Sequence, residues 1–295
     1  MFVSSNNMKF IPDSMDSAFH GGLPQQFNQI KNKRFGDWEI PPWELFIFKD
    51  KRLGSGSFSD VYLAKWRETY VVAKVIRSSS INLKKHLIDR EIDTMTKMHH
   101  PNVVQFLGYI EDPLILVMEY IPRGDLAGCI DKLWMSSKIS IAKDILRGLV
   151  YIHNRHPRSL VHRDIKATNI LLTKSKVAKI ADFGLSKFYT MGNVFSRENL
   201  VELDTTESPE VTKEVGTRRY MAPEILHGNY DYTFRSDIYS CGIVFYELFE
   251  GTKYTPSKGF MWARCPKKIR HIIKEYMANP DPSNRLTAET LIKML

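Results

Sequence analysis

The chain has 295 residues, 43% of them hydrophobic and 25% charged. That is ordinary globular usage, which excludes a disulfide-stapled mini-protein, a fibrous repeat and a wholly disordered chain. Forty-two Lys and Arg against 33 Asp and Glu leave a charge of +9, which favours phosphate-bearing partners without choosing among nucleotides, nucleic acid and phosphoproteins.

The apolar clusters Leu114 to Met118 and Cys241 to Phe249 fall far short of the roughly 18 residues that span a bilayer, so no membrane helix is expected. The first residues lack a basic stretch, an apolar core and a small-residue cleavage site, so no secretory signal is expected either. Cys129, Cys241 and Cys265 are scattered, which fits a reducing, intracellular and cytoplasmic setting.

Residues 1–37 are rich in Asn, Gln, Ser and Gly with no sustained period, and read as a mobile extension. From Trp38 the character changes. Pro41-Pro42 precedes alternating β-rich runs through Trp66, and YVVAKVI adds another, which predicts a small antiparallel sheet. Ile81 to Met98 carries Leu83, Leu87, Ile88, Ile92, Met95 and Met98 at helical intervals. Glu91 falls inside that apolar arc, where a carboxylate needs a cation. The runs VVQFLGYI and LILVMEY predict two more strands, and the chain turns mainly helical beyond Asp125. Sheet first and helices later predicts two lobes hinged at 120–124. Within the second, Ile141, Ile145, Leu149 and Ile152 share one helical face. Residues 190–215 read as a long loop in which Glu198, Glu202, Asp204, Glu207 and Glu210 are interleaved with Thr205, Thr206, Ser208 and Thr212.

Gly54 and Gly56 lie between strand-like segments, where backbone lacking Cβ can approach phosphates; taken alone they equally suit a hairpin turn. Val72 and Lys74 face one side of a strand by its period of two, which sets an ammonium beside an apolar surface. Glu91 is its natural partner, unless both are solvated. His162-Arg163-Asp164-Ile165-Lys166-Ala167-Thr168-Asn169 is followed by Asp182-Phe183-Gly184, each stretch beside apolar strand-like residues.

With Gly216-Thr217-Arg218-Arg219-Tyr220-Met221-Ala222-Pro223-Glu224, this ordered set resembles the eukaryotic protein kinases. The resemblance runs over 43–295. EYIPRGDL and GTRRYMAPE look most like the tyrosine-kinase-like branch, whose members mostly modify Ser and Thr; Lys166 and Thr217 match that serine/threonine pattern.

The resemblance implies an α+β fold: a small antiparallel-sheet N-lobe with one helix (43–119), a hinge (120–124) and a mainly helical C-lobe (125–295). It implies ATP with Mg²⁺, or Mn²⁺, as cofactors and protein Ser/Thr hydroxyls as acceptors. Asp164 is then the catalytic base and Lys166 neutralises the transferring phosphoryl. Lys74, fixed by Glu91, holds the α- and β-phosphates, and Asn169 and Asp182 hold the metal. Leu53, Gly54, Gly56, Val61, Val72, Met118, Asp125, Leu171 and the backbone of Glu119 and Ile121 surround the nucleotide. Met95, Phe106, His162 and Phe183 are expected to stack, anchored by Asp237, and Glu224 and Arg285 to form a buried pair.

Ser59 stands where the family has a third loop glycine, Val72 where it has alanine, and the stretch from Glu247 to Pro280 is short for a substrate-docking helix. These departures keep open a pseudokinase acting as a nucleotide-binding scaffold, and a dual-specificity kinase stands as a further alternative. Phosphorylation of Thr205, Thr206, Ser208 or Thr212 is expected to pair with Arg163 and order the long loop, unless its carboxylates already do so. His99-His100 reads as a loop feature and not as zinc ligands. The basic excess is not interleaved with an aromatic stripe, so specific nucleic-acid binding is not expected.

Overall fold

The computed structural model describes residues 37–56, 59–77, 92–155, 158–183, 186–190, 218–227 and 232–295. Its contacts divide into two compact units, the first ending at Met98 and resuming over Gln105–Tyr120, the second comprising His99–Val104 and Ile121–Leu295.

Alternation of side chains builds the first unit. Strands β1 (Leu45–Ser55), β2 (Ser59–Trp66), β3 (Thr69–Ile76), β4 (Phe106–Ile110) and β5 (Ile115–Glu119) form one sheet of order β1-β2-β3-β5-β4. Every neighbouring pair is antiparallel. Val71 and Ala73 of β3, Ala64 of β2, and Ile115 and Val117 of β5 join Ile40, Leu45, Ile47 and Ile110 in a core on one face. The period of two therefore sends Val72 and Lys74 to the other face. The segment before β1 extends the sheet edge: Ile40 N–H donates to Tyr109 O at 2.7 Å, and Tyr109 N–H donates to Trp38 O at 2.8 Å. Gly108 makes this approach possible. At φ 152° it lies beyond what L side chains readily adopt, and a Cβ would come within 2.6 Å of Trp38 O. Of the helix expected over 81–98, residues 92–96 are helical and the stretch up to Glu91 is outside the described residues.

The expected strand VVQFLGYI is divided in two. Only Phe106–Ile110 joins the sheet, whereas Val104 N–H donates to Ile180 O at 2.9 Å and Ile180 N–H to Asn102 O at 2.9 Å, which fastens His99–Val104 to the second unit. Tertiary pairing with Ile180 decides this, and no breaker in the apolar run marks it.

In the second unit α1 (Met135–His153) buries Ile141, Ile145, Leu149 and Ile152 completely, as their spacing predicts. Gly148 lets it pack closely, since a Cβ there would meet Asn102 O at 2.8 Å. Short antiparallel pairs follow, β6 (Arg158–Val161) with β9 (Lys187–Thr190), and β7 (Ile170–Leu172) with β8 (Ala178–Ile180). Helix α2 (Pro223–Leu226) precedes α3 (Phe234–Glu250), which is buried nearly all round and forms the unit's centre. Thr233 caps α3 at its start and Gly251, with φ 79°, ends it. Helix α4 (Lys267–His271) runs on into π-helical turns over Ile272–Met277, and α5 (Ala288–Met294) packs on α1. Among the described residues no helix is long and apolar enough to cross a membrane.

Candidate active site

In the first unit, Gly54 pairs with Val61 and Gly56 N–H donates to Ser59 O at 2.9 Å, so the glycines sit at a hairpin; Ser57 and Phe58 are outside the described residues. A Cβ on Gly54 would find nothing closer than 4.0 Å, and on Gly56 nothing closer than 3.8 Å. Crowding within the fold thus does not require glycine at either position. Asp60 braces the hairpin, accepting from Ser55 Oγ at 2.7 Å and from Arg77 Nε and Nη2 at 3.1 and 3.0 Å. The Arg77 and Ser55 hydrogen bonds hold its carboxyl below the ordinary value.

Val61 stands opposite Lys74, and Val72 stands between Leu63 and Met118 across the ladder. Val61, Val72, Lys74 and Met118 thus share the sheet face turned away from the core. Leu53, at a register shift of β1, is 49% exposed. Glu119 Oε1 accepts from Gln105 N–H at 2.7 Å, which fixes the end of β5. Met95 and Phe106 are buried, with Phe106 against Trp38. Glu91 lies outside the described residues, so its pairing with Lys74 does too.

The second unit gathers the remaining residues around one loop. Asp237, 1% exposed, accepts from His162 N–H at 2.8 Å and Arg163 N–H at 2.9 Å, and its Oδ2 lies 2.9 Å from His153 Nε2. These bonds hold Arg163 at φ 71°, a left-handed conformation that costs a non-glycine residue on the order of 1 kcal/mol. His162 is fully buried. Its Nε2 lies 3.1 Å from Ala181 O, its Nδ1 accepts from Asp164 N–H at 3.3 Å, and its ring meets Phe183 at 4.9 Å.

Asp164 follows directly. Its Oδ2 pairs with Lys166 Nζ at 2.8 Å and accepts from Asn169 Nδ2 at 3.0 Å. Its Oδ1 is buried and has no hydrogen-bond partner among the described residues. Burial pushes this carboxyl above its ordinary value against the pull of Lys166, and the negative charge of Asp182 pushes the same way. Asn169 Nδ2 also donates to Asp164 O, which turns its carbonyl oxygen elsewhere. Asn169 O accepts from Ala181 N–H at 2.9 Å, which brings the backbone before Asp182 alongside Asn169. Asp182 itself sits at φ 63°. Asp125 and Leu171 form an antiparallel bridge, with Asp125 Oδ1 accepting from Gly128 N–H at 2.8 Å. Ile121 is buried.

Farther along, Glu224 and Arg285 form a two-pronged pair at 2.6 and 2.8 Å, the guanidinium fully enclosed and bonded to Asn279, Arg235 and Pro280 carbonyls. Arg163 lies 4.3 Å above the Tyr232 ring. Thr205, Thr206, Ser208, Thr212 and Thr217 are outside the described residues. His100 stacks on Tyr151 at 4.8 Å, and among the described residues no group of three or more His, Cys, Asp or Glu could hold a metal.

Sequence reasoning missed His153, Asp60 with Arg77, and Glu247. The last accepts from the Tyr220 hydroxyl at 2.7 Å and Tyr254 N–H at 3.0 Å. Burial and the Glu247 charge push the Tyr220 phenol up to about 12, so it stays a donor. For His153 a signal existed: it follows Leu149 by one helical turn and so continues the inner face of α1.

Residues 48–295 match the family model described as the protein kinase domain. The serine/threonine-protein kinase VIK of Arabidopsis thaliana is 37% identical over 73% of this chain and 48% of its own length. The serine/threonine-protein kinase CTR1 of the same plant is 31% identical over 77% of this chain and 26% of its own length. The probable serine/threonine-protein kinase drkB of Dictyostelium discoideum is 31% identical over the whole chain and 41% of its own length. The chain thus spans about half, or less, of the length of these relatives. A match over 48–295, together with an Asp-Lys-Asn loop held beneath a buried aspartate, means that the chain belongs to the protein kinase domain family.

Proposed function

We propose that this chain transfers the γ-phosphoryl group of ATP to Ser and Thr hydroxyls of proteins within a cytoplasmic, intracellular setting, and that 43–295 is the working domain. The observation that carries this reading is Asp164: a buried carboxylate with one oxygen engaged by Lys166 and Asn169 and the other without a partner among the described residues. An oxygen in that condition suits a hydroxyl proton donor, and burial keeps it basic enough to take the proton as transfer proceeds. Lys166 balances charge beside it. Lys74 is read as holding phosphate oxygens through its pairing with Glu91, beneath a hairpin whose glycines leave room for phosphates. In the first unit Leu53, Val61, Val72 and Met118 are read as apolar contacts for the nucleotide, and in the second unit Leu171 is read in the same role. Asp125 faces the ribose, and Glu119 and Ile121 offer backbone groups to the base.

The donor set fits a hard divalent cation: the carbonyl oxygen of Asn169 and the carboxylate of Asp182 are oxygen ligands on adjoining backbone. Bound Mg²⁺, or Mn²⁺, supplies neutralisation of phosphate charge. The left-handed backbone at Asp182 turns its carboxylate at a local energetic cost, a feature typical of functional sites.

Incubation with MgATP and an unbiased peptide array, followed by phosphoamino-acid analysis, tests the reading. Asp164→Asn is expected to lower kcat by roughly 10³-fold. Equal phosphate incorporation by both proteins refutes it, nucleotide binding without transfer identifies a scaffold, and phosphotyrosine would make the specificity dual.

A further inference from the structure

Residues 251–273 hold six Lys or Arg and no Asp or Glu. Of these, 251–266 connect α3 to α4 and the rest belong to α4 and the turn after it, and the connection is fixed in place. Tyr254, Phe260 and Trp262 pack around Tyr246 of α3 with ring centroids 5.7, 5.3 and 5.1 Å away. Glu250, 2% exposed, accepts from the N–H groups of Ala263, Arg264 and Cys265 at 2.7, 2.7 and 3.1 Å. Glu250 is thereby committed to backbone, and Glu247 to Tyr220, Tyr254 N–H and Arg219, so the lysines gain no anion from either. Lys253, Lys258, Lys267 and Lys268 are exposed and have no ion-pair partner among the described residues. Met261, on the same connection, is 61% exposed.

A second observation ties this surface to Asp164. Tyr220 and Met221 line the same small cavity as Asp164 and Ile165. The Tyr220 hydroxyl bonds Glu247 Oε2 at 2.7 Å, and Glu247 Oε1 takes Tyr254 N–H, next to Lys253, at 3.0 Å. Arg219 lies 3.5 Å from the same carboxylate, and Arg218 before it is exposed. One buried side chain therefore joins the segment bordering Asp164 to the cationic connection.

We propose that Arg218 and the connection, through Lys253 and Lys258, bind acidic residues flanking the acceptor hydroxyl, so that the preferred substrates are acidic Ser/Thr segments of proteins. This rests on the reading of Asp164 as the group that orients that hydroxyl. Charge complementarity identifies the occupant: unpaired cations spread over a turn and a helix start suit several carboxylates along an extended peptide.

The full chain with MgATP is given two serine peptides of equal length, one flanked by Asp and Glu and one by Asn and Gln. The acidic peptide is expected to have about tenfold higher kcat/KM, carried in KM, and to lose that advantage toward ~0.5 M salt. Lys253→Glu with Lys258→Glu should bring the ratio to about one, with the Gln pair intermediate. Fluorescence anisotropy of an acidic peptide bearing Ala for the acceptor, without nucleotide, reads docking apart from transfer and should weaken in the same variants. Equal kcat/KM for the two peptides, or a ratio unmoved in both variants, overturns the docking surface and leaves phosphoryl transfer standing. Lysine-dependent binding with transfer to neither peptide keeps the surface and overturns the role of Asp164. If sedimentation with phosphatidylserine vesicles falls in the variants while the peptide ratio holds, the surface belongs to a membrane and the proposal fails.

Discussion

The glycine hairpin of the first unit and the 160–183 loop of the second are held by opposite kinds of contact. The hairpin is braced on its outside, by Asp60 with Ser55 and Arg77, all on exposed side-chain atoms. The loop is braced from within, by Asp237 at 1% exposure and by the fully buried His162. Surface pairs are worth little and are screened by salt, whereas a buried carboxylate feeding several N–H groups fails all at once when removed. The costly contacts here hold the left-handed Arg163 in place and inexpensive ones brace the glycine hairpin, although left-handed backbone also occurs in an exposed turn at Arg67 and Glu68.

The largest effect should therefore come from Asp237→Ala. It leaves His162 N–H and Arg163 N–H buried without acceptors and strips His153 of its partner, and should cost about 3–5 kcal/mol in urea unfolding. A loss under about 1 kcal/mol would mean that the loop holds itself and that the contrast is false. Arg285→Lys comes next. One ammonium cannot replace a fork that meets both Glu224 oxygens and three carbonyls, so about 2–3 kcal/mol should be lost although the charge is kept.

Asp164 separates function from stability within the inner-braced loop. Its carboxyl is raised above the ordinary 3.8 by burial. The folded state therefore binds this proton more tightly than the unfolded one, and the ionised form is a stability cost that is complete above the raised value and vanishes as pH falls toward 3.8. Asp164→Asn should be as stable as the parent or slightly more so at neutral pH, with the difference disappearing in acid. The acidic limb of the parent's kcat/KM should sit above that same ordinary value. A neutral-pH Tm clearly below the parent's would contradict a desolvated carboxylate here.

Local grouping was legible in the residue pattern itself, whereas the long-range Glu224–Arg285 pair and the Asp237 anchor were expected only through the resemblance to a known family. Residues 162–169 and 182–183 reveal themselves because the site compresses its groups into a few positions, and the α1 face Ile141, Ile145, Leu149 and Ile152 because helical spacing is arithmetic. Spacing from Leu149 puts His153 on the inner face of α1, but its meeting with Asp237 across 84 positions, like that of Tyr220 with Glu247 across 27, is announced by no local pattern. The strand expected from Val103 fails for the same reason, since Val103 and Val104 are claimed by Ile180. The stretch after Glu247 reads as merely short, yet Tyr246, Tyr254, Phe260 and Trp262 give it a fixed surface.

Asp60→Asn is the smallest perturbation and tests the other half of the comparison. It keeps the shape of the side chain and removes the charge that receives Arg77, Arg52 and the Ser55 hydroxyl. Because the site is open to water, Tm should hardly move. The hairpin that carries Gly54 and Gly56 loses its outer brace, however, so KM for ATP should rise by about two- to fivefold in low salt if those glycines cradle phosphates. At ~0.5 M salt the parent's own pair is screened and the two proteins should converge. A difference that persists at high salt would show that Asp60 acts through packing and not through charge, and the hairpin would then be held in the same way as the loop of Asp164.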